Sequence, residues 1–488
     1  MRLNFCGVIF SLLVLAFPLR ATVTMPGIFS DNMVLQQNTS VKVWGTTTGN
    51  KVTLKPSWTE ELTVKRIDEK GTWVAYLNTL PATQGESFSL EVFDDEGSVL
   101  MFKNIVFGEV WLCSGQSNMQ MPMKGFKDQP VEDATRYIVM ADVDVPIRVC
   151  EINRVSAPQP RNSCIASWKL NTPENVPGFS AVAYFFALRM QEILKVPVGV
   201  VVVAHGGARI EAFMKEDLFK TEFKSYSLEH LYGSGFPHNK RHKLPALLYN
   251  GMLAPIAGYS VKGMLWYQGE SNREVFPDTY CDLQTAFVKA IREDWGQQDM
   301  PFYFVQIPPY NSGYDANQPR TAMLREQQVM SLNTIPYSYM AVIMDAGSYD
   351  CVHAPKKQVV GDRLAYLALQ NEYGAEGYEA HAPIYSSMQI QGSNIYVSFE
   401  VGKASLAPLG RTLSNFSVAG EDRVFYPASA RVVGKNMVVV GTEQVSDPVA
   451  VRYCFDGTSV GTLFNNYGIP ASPFRTDKWE LISKSDVN

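Results

Sequence analysis

From residue 106 onward the chain alternates short, almost continuously apolar runs with longer segments of helical spacing, and this alternation restricts the fold more than any other feature. The runs occupy residues 106–113, 198–204, 263–267, 302–307 and 339–344. A strand that is apolar at every position has to be buried on both faces, and a parallel sheet covered by helices does that. The intervening segments agree. Ser180 is placed to cap a helix in which Val182, Phe185, Phe186, Met190, Ile193 and Leu194 recur at helical spacing, ended by Pro197. Asp278 is placed to cap a second, carrying Leu283, Phe287, Val288 and Ile291, and a third runs from about residue 357 to 373. The pattern predicts an α/β unit over residues 106–375, a mostly parallel sheet with helices on both faces.

The flanks read differently. Between residues 22 and 105, Val41 and Val43, Val52 and Leu54, Leu62 and Val64, Trp73, Ala75 and Leu77, and Phe88, Leu90 and Val92 alternate with polar residues. Gly45, Gly49-Asn50, Gly71 and Gly85 separate these runs, which predicts a small β-sandwich. Strand patterns return at 395–399, 437–440 and 449–453, so residues 376–488 form a C-terminal β-rich module. Residues 1–21 stand apart. Arg2, an apolar run over 8–17 and the small Ala21 make a secretory signal, so the mature chain is expected to be secreted or periplasmic. No other stretch approaches the roughly 20 apolar residues of a membrane helix, so no membrane association is expected after cleavage.

The formal net charge is −5 with no basic block, which argues against nucleic acid as a partner. Cys6 falls in the signal. Cys113, Cys150, Cys164, Cys281, Cys351 and Cys454 are scattered without a CxxC pair, so neither a disulfide framework nor a metal cluster is expected. His238 and His242 have zincin spacing but lack the intervening Glu. No cofactor is called for.

In open α/β sheets, ligands bind beyond the carboxyl ends of the strands. Those ends carry Ser114-Gly115-Gln116-Ser117-Asn118-Met119, His205-Gly206-Gly207-Ala208-Arg209, Gln268-Gly269-Glu270-Ser271-Asn272, and a loop with Asp345, Asp350 and His353. Singly, each reads as a turn, a cap or a solvated loop. Together they bring to one rim what acyl transfer by serine needs: an attacking hydroxyl, an imidazole base and a carboxylate that orients it. The spacing of Asp350 and His353 lets one turn put both on the same side. An oxyanion hole could draw on the backbone N–H groups of Ser117 and Gly207 and on the side chain of Gln268 or Asn272. Gly457-Thr458-Ser459-Val460-Gly461 matches a nucleophile elbow, but lies among strand patterns with no histidine beyond His381, and reads as a turn.

Gly115-Gln116-Ser117-Asn118-Met119, Trp266-Tyr267-Gln268-Gly269-Glu270-Ser271-Asn272 and Asp350-x-x-His353 resemble the conserved blocks of SGNH/GDSL hydrolases. Within that superfamily the chain is similar to the sialate O-acetylesterases. Residues 31–36, 248–252, 325–328 and 473–477 extend the resemblance over nearly the whole mature chain. It implies Ser117 as nucleophile, His353 as base and Asp350 as its orienting partner, with an oxyanion hole from Ser117, a glycine of the second block and a side-chain amide of the third. Two departures stand out: His205-Gly206-Gly207-Ala208-Arg209 where relatives resemble Trp-Gly-Gly-Thr, and Ala354 between His353 and Pro355 where relatives read His-Pro. Arg209 is a candidate partner for a sugar carboxylate, and Asn250 and Glu270 are candidate substrate contacts. The resemblance implies an esterase acting on an acetylated sugar or glycan, sialic acid first. An acetylated xylan or pectin-type polysaccharide is the alternative, and a non-catalytic carbohydrate-binding protein the reading from another class.

Overall fold

The structure, a computed structural model, describes residues 22–481 except 84, 234–239, 276, 314 and 316–318. Residues 1–21, read from the sequence as a secretory signal, and His238 therefore lie outside the described residues. The central sheet is built from β1 (Val99–Gly115), β2 (Ile147–Glu151), β3 (Trp168–Leu170), β4 (Val198–Ala204), β5 (Gly263–Tyr267), β6 (Phe302–Val305) and β7 (Ser338–Ala341), in the order β7-β6-β5-β1-β4-β2-β3. All neighbours pair in parallel except the edge pair β2–β3. Burial on both faces is direct: Val110 and Leu112 of β1 join one apolar cluster, Trp111 and Cys113 the other.

One face is covered by α2 (Ala181–Leu194) packed on α5 (Lys357–Glu372); a Cβ on Gly361 would sit 2.6 Å from that of Phe185, so these helices need the glycine. The other face carries α3 (Tyr280–Trp295) and α4 (Arg320–Thr334). Ser180 caps α2 as its sequence position predicts, its hydroxyl accepting from the Ala183 N–H at 3.3 Å. Asp278 does not cap α3. A 3-10 turn over Pro277–Thr279 comes first, and Thr279 holds the cap position.

The N-terminal strands pack as expected around Val41, Val43, Val52, Leu54, Trp73, Ala75, Leu77, Leu90 and Val92. Leu62 and Val64 are an exception, 53% and 56% exposed, because Thr63–Arg66 is an edge strand paired only through Lys51–Pro56. β1 itself is shared: its first half pairs with Phe88–Asp94 and its second half forms the middle of the central sheet, so one strand passes through residue 105 without a break. A seven-stranded antiparallel sheet organises the C-terminal module. Its 457–461 segment is a turn, with the Asp456 carboxylate accepting from the N–H groups of Thr458 and Ser459, both at 2.7 Å.

Arg325, fully buried in α4, ties this module to the sheet. It donates to the carbonyls of Ile307 (2.8 Å), Asp456 (2.8 Å) and Gly457 (3.4 Å), while Gly457 also accepts from the Tyr310 N–H at 2.8 Å. Arg475 pairs with Glu326 through both carboxylate oxygens, at 2.8 and 3.0 Å. The six cysteines among the described residues are all free, and no helix there is long and apolar enough to cross a membrane.

Candidate active site

β1 lies between β4 and β5, so the chain departs to either side of its carboxyl end and leaves a crevice there. The strand stops at Gly115, whose φ of +144° suits glycine and whose Cβ, if present, would collide with the Tyr267 carbonyl. Gln116 then turns inward. Its Oε1 accepts from Gln268 Nε2 and the Ser271 N–H, both at 3.2 Å, locking the first strand-end segment to the third. Ser117 opens the short helix α1 (Ser117–Gln120).

A cavity of about 760 Å³ opens above α1, lined by Ser117, Gly206, Gly207, Glu270, Arg273 and His353 among others, with Phe126 and Tyr310 as its aromatic walls. Ser117 and His353, far apart in sequence, thus face one space. The ring of Phe126 meets that of His353 edge-on at 5.0 Å. Nδ1 of His353 lies 2.5 Å from Gln129 Oε1. Asp350 is exposed, does not line the cavity, and has no hydrogen bond or ion pair to His353 among the described residues. The amide therefore stands where the sequence spacing predicts a carboxylate. Asp345 is also taken: it binds Arg363 through two hydrogen bonds of 2.6 and 2.7 Å.

The loops carrying Gln129 and His353 are joined, since the Glu132 N–H donates to the Pro355 carbonyl at 3.0 Å. Asn118 fixes the histidine loop from below, donating to the Val352 carbonyl at 3.0 Å and to Glu270 Oε1, while Lys357 donates to Asn118 Oδ1. Burial pushes the Lys357 ammonium down to about 7 and raises Glu270; the Glu270 charge partly sustains Lys357, and the charges of Arg273 and then Lys357 partly sustain Glu270. Burial, with the Lys357 charge second, brings His353 down to about 4, so its imidazole is neutral at physiological pH.

The expected oxyanion donors divide. The N–H groups of Ser117 and Gly207 have no acceptor among the described residues, and φ at Gly207 is +69°. The Gly206 N–H is already given to Gln120 Oε1 at 2.6 Å. Gln268 and Asn272, the expected side-chain donors, are both buried outside the cavity lining and hydrogen-bonded to each other. Gln268 Nε2 donates to Asn272 Oδ1 (2.6 Å) and the Ala208 carbonyl (3.2 Å), and Asn272 Nδ2 donates to Glu211 (2.9 Å). Asn250 is likewise structural, buried and bonded to the Pro158 carbonyl at 3.1 Å. Arg209 is absent from the lining and lies 3.7 Å from Glu274. Glu270 does line the cavity. His205 and His242, beside the Gly206-Gly207 turn, stack at 5.0 Å; burial lowers both, His242 to about 4.

Sequence reasoning passed over Gln129 and Arg273. Gln129 sits in a loop with no periodicity to mark it. Arg273 directly follows the third strand-end segment, and the strand-end rule needed one more residue to reach it.

A serine and an imidazole at the carboxyl rim of a mostly parallel α/β sheet, with backbone N–H groups beside the serine that have no acceptor among the described residues, are the parts an ester hydrolase requires. A family model described as "carbohydrate esterase, sialic acid-specific acetylesterase" matches residues 107–370, more than half of the chain. The chain belongs to that family of carbohydrate esterases. The human sialate O-acetylesterase is 26% identical over 392 residues, covering 74% of this chain and 73% of the human one. The mouse enzyme is 26% identical over 426 residues, covering 75% and 76% respectively. Among solved structures, a carbohydrate acetylesterase from Xanthomonas citri superposes with a TM-score of 0.84 at 30% identity, covering 94% of this chain and all of that one. The protein is thus a carboxylic-ester hydrolase that deacetylates sugars.

Proposed function

We propose that the protein is an exported serine esterase that removes O-acetyl groups from sialic acid through an acetyl-enzyme. The observation that carries this reading is the shared cavity: Ser117, His353 and the unengaged N–H of Gly207 line one space. Ser117 Oγ attacks the acetyl carbonyl as His353 Nε2 takes its proton. A hydrogen bond from Nδ1–H to Gln129 Oε1 fixes the tautomer whose Nε2 lone pair is free. The developing oxyanion is received by the N–H groups of Ser117 and Gly207. The ester C–O bond breaks, the sugar oxygen leaves with the proton held by His353, and an acetyl-serine remains. Water then attacks that acetyl group with His353 again as base, releasing acetate and restoring the hydroxyl. Residues 1–21, with the pattern of a secretory signal, support export to the periplasm or medium.

The test is acetate release from O-acetylated sialic acid, acetylated xylan and acetylated pectin by the wild type and by Ser117→Ala. Preference for the sialic acid ester, with kcat lowered by about 10⁴ or more in the variant, is expected. Preference for xylan or pectin replaces the sugar in this reading. Full activity in the variant removes Ser117 as nucleophile.

A further inference from the structure

Arg273 presents an unusual balance of forces. Its side chain is 4% exposed and lines the same cavity as Ser117. Its guanidinium makes no hydrogen bond or ion pair to any described residue, and Nε is fully buried without a partner. It stacks 5.1 Å above the ring of Tyr310, which holds the plane of the group but satisfies none of its N–H donors. A buried cation with no hydrogen-bond acceptor among the described residues is costly, and an orphaned buried polar group of this kind calls for a partner such as a ligand.

The surrounding charges select the ligand. Two carboxylates share the cavity lining; Glu274 is matched, whereas Glu270 leaves its buried Oε2 without a hydrogen bond among the described residues and feels the Arg273 charge ahead of that of Lys357. Glu270 is linked to Lys357 through Asn118. Glu274 accepts from Lys243 at 3.1 Å and faces Arg209 at 3.7 Å. Lys127 adds a further cation at the exposed rim. The lining charges balance, but the Arg273 guanidinium has no hydrogen-bonded acceptor among the described residues, and its planar fork matches a carboxylate.

We propose that Arg273 binds the carboxylate of an acidic sugar while Ser117 attacks its acetyl ester, making Arg273, rather than Arg209, the residue that selects for acid sugars. This rests on the reading of Ser117 as the site of ester cleavage. Two sources share the chemistry, a sialic acid and a uronic acid.

The experiment measures a ratio. For wild type and R273Q, kcat/KM is determined for O-acetylated sialic acid and for its methyl ester, in which the carboxyl charge is masked. An acetylated galacturonic acid and its methyl ester form the second arm, and the arm showing the discrimination identifies the source. The wild type is expected to favour the free acid by about 10- to 100-fold, the worth of one charge-assisted contact, and R273Q to bring that ratio close to one. A ratio unchanged by R273Q, or no discrimination by the wild type in either arm, overturns the assignment. A measurement needing no variant runs beside it: calorimetric titration of the wild type with deacetylated sialic acid and galacturonic acid and with their methyl esters. Tighter binding of a free acid supports the carboxylate site even if no ester is turned over, the outcome that would remove the esterase reading alone. Equal affinities for acid and ester in both pairs overturn the carboxylate site and leave the esterase reading in place.

Discussion

The imidazole of His353 is held by an amide: its Nδ1 lies 2.5 Å from Oε1 of Gln129, a residue 224 positions earlier in the chain. A carboxylate in that place would both orient the ring and stabilise its cation. An amide oxygen orients it while contributing much less to the cation, and the buried Lys357 charge opposes that cation further. Burial first, and the Lys357 charge second, thereby keep the base weak and neutral.

If Gln129 is the orienting partner, Gln129→Ala will lower kcat by about 10²-fold with little change in KM. Asp350→Asn will stay within about threefold of wild type, because Asp350 is exposed and has no hydrogen bond or ion pair to the ring among the described residues. Steady-state kinetics on 4-nitrophenyl acetate decides between them. The reverse order would mean that Asp350 reaches His353 during turnover and that the amide is displaced.

The pH profile follows from the same ring. With His353 at about 4, kcat/KM should hold from neutrality down to that value and fall only below it, rather than near the ordinary histidine value of about 6.5. Lys357→Met removes the second cause of the shift and leaves burial, so the acid limb should move up yet remain below 6.5. A limb that does not move would show that Lys357 has no influence on the ring.

Stability should respond with a definite sign. His353 and His242 both bind a proton at about 4 when folded, against about 6.5 when unfolded. Between those values the unfolded chain holds more protons, so stability is lost as pH falls through this window and regained as it rises. Urea midpoints at pH 7 and pH 4.5 test this, the lower pH giving the lower midpoint.

Gly115→Ala should be severe. The position has φ of +144° and a neighbouring carbonyl where the methyl group would go. Backbone strain alone costs about 1–3 kcal/mol, and the collision would displace Gln116 and with it the lock on the third segment. A variant with wild-type thermal stability and activity would contradict this account of the turn.

Much of the architecture was readable because parallel strands buried on both faces leave an unmistakable apolar signature, as in residues 198–204. Helix α4 left none. Its buried positions include Arg325, Gln328 and Ser331, whose polar groups are satisfied by backbone and side-chain partners from other elements, so burial there has no apolar period. Leu62 and Val64 show the converse, an alternation that places apolar side chains on an edge strand facing outward.

At the site, the strand-end rule pointed to Ser117, Gly207, Glu270 and His353, all of which line one cavity, and the resemblance assigned Ser117 and His353 their expected roles. It could not show that Gln268 and Asn272 are spent on each other, because hydrogen bonding between neighbouring amides depends on χ angles rather than on order along the chain. Nor could it find Gln129, which reaches His353 through a long-range contact between two irregular loops.

The Arg325 clamp bears on how far this enzyme can be trimmed. Every side chain named in the cavity lies before residue 375, yet the loop that supplies Tyr310 is hung from the Gly457 carbonyl. A fragment ending at 375 would carry a guanidinium stripped of two acceptors and an aromatic wall without its tether. The tail acts as a mould for this loop of the cavity wall, and grafting a foreign tail would succeed only where it re-creates that one turn of backbone.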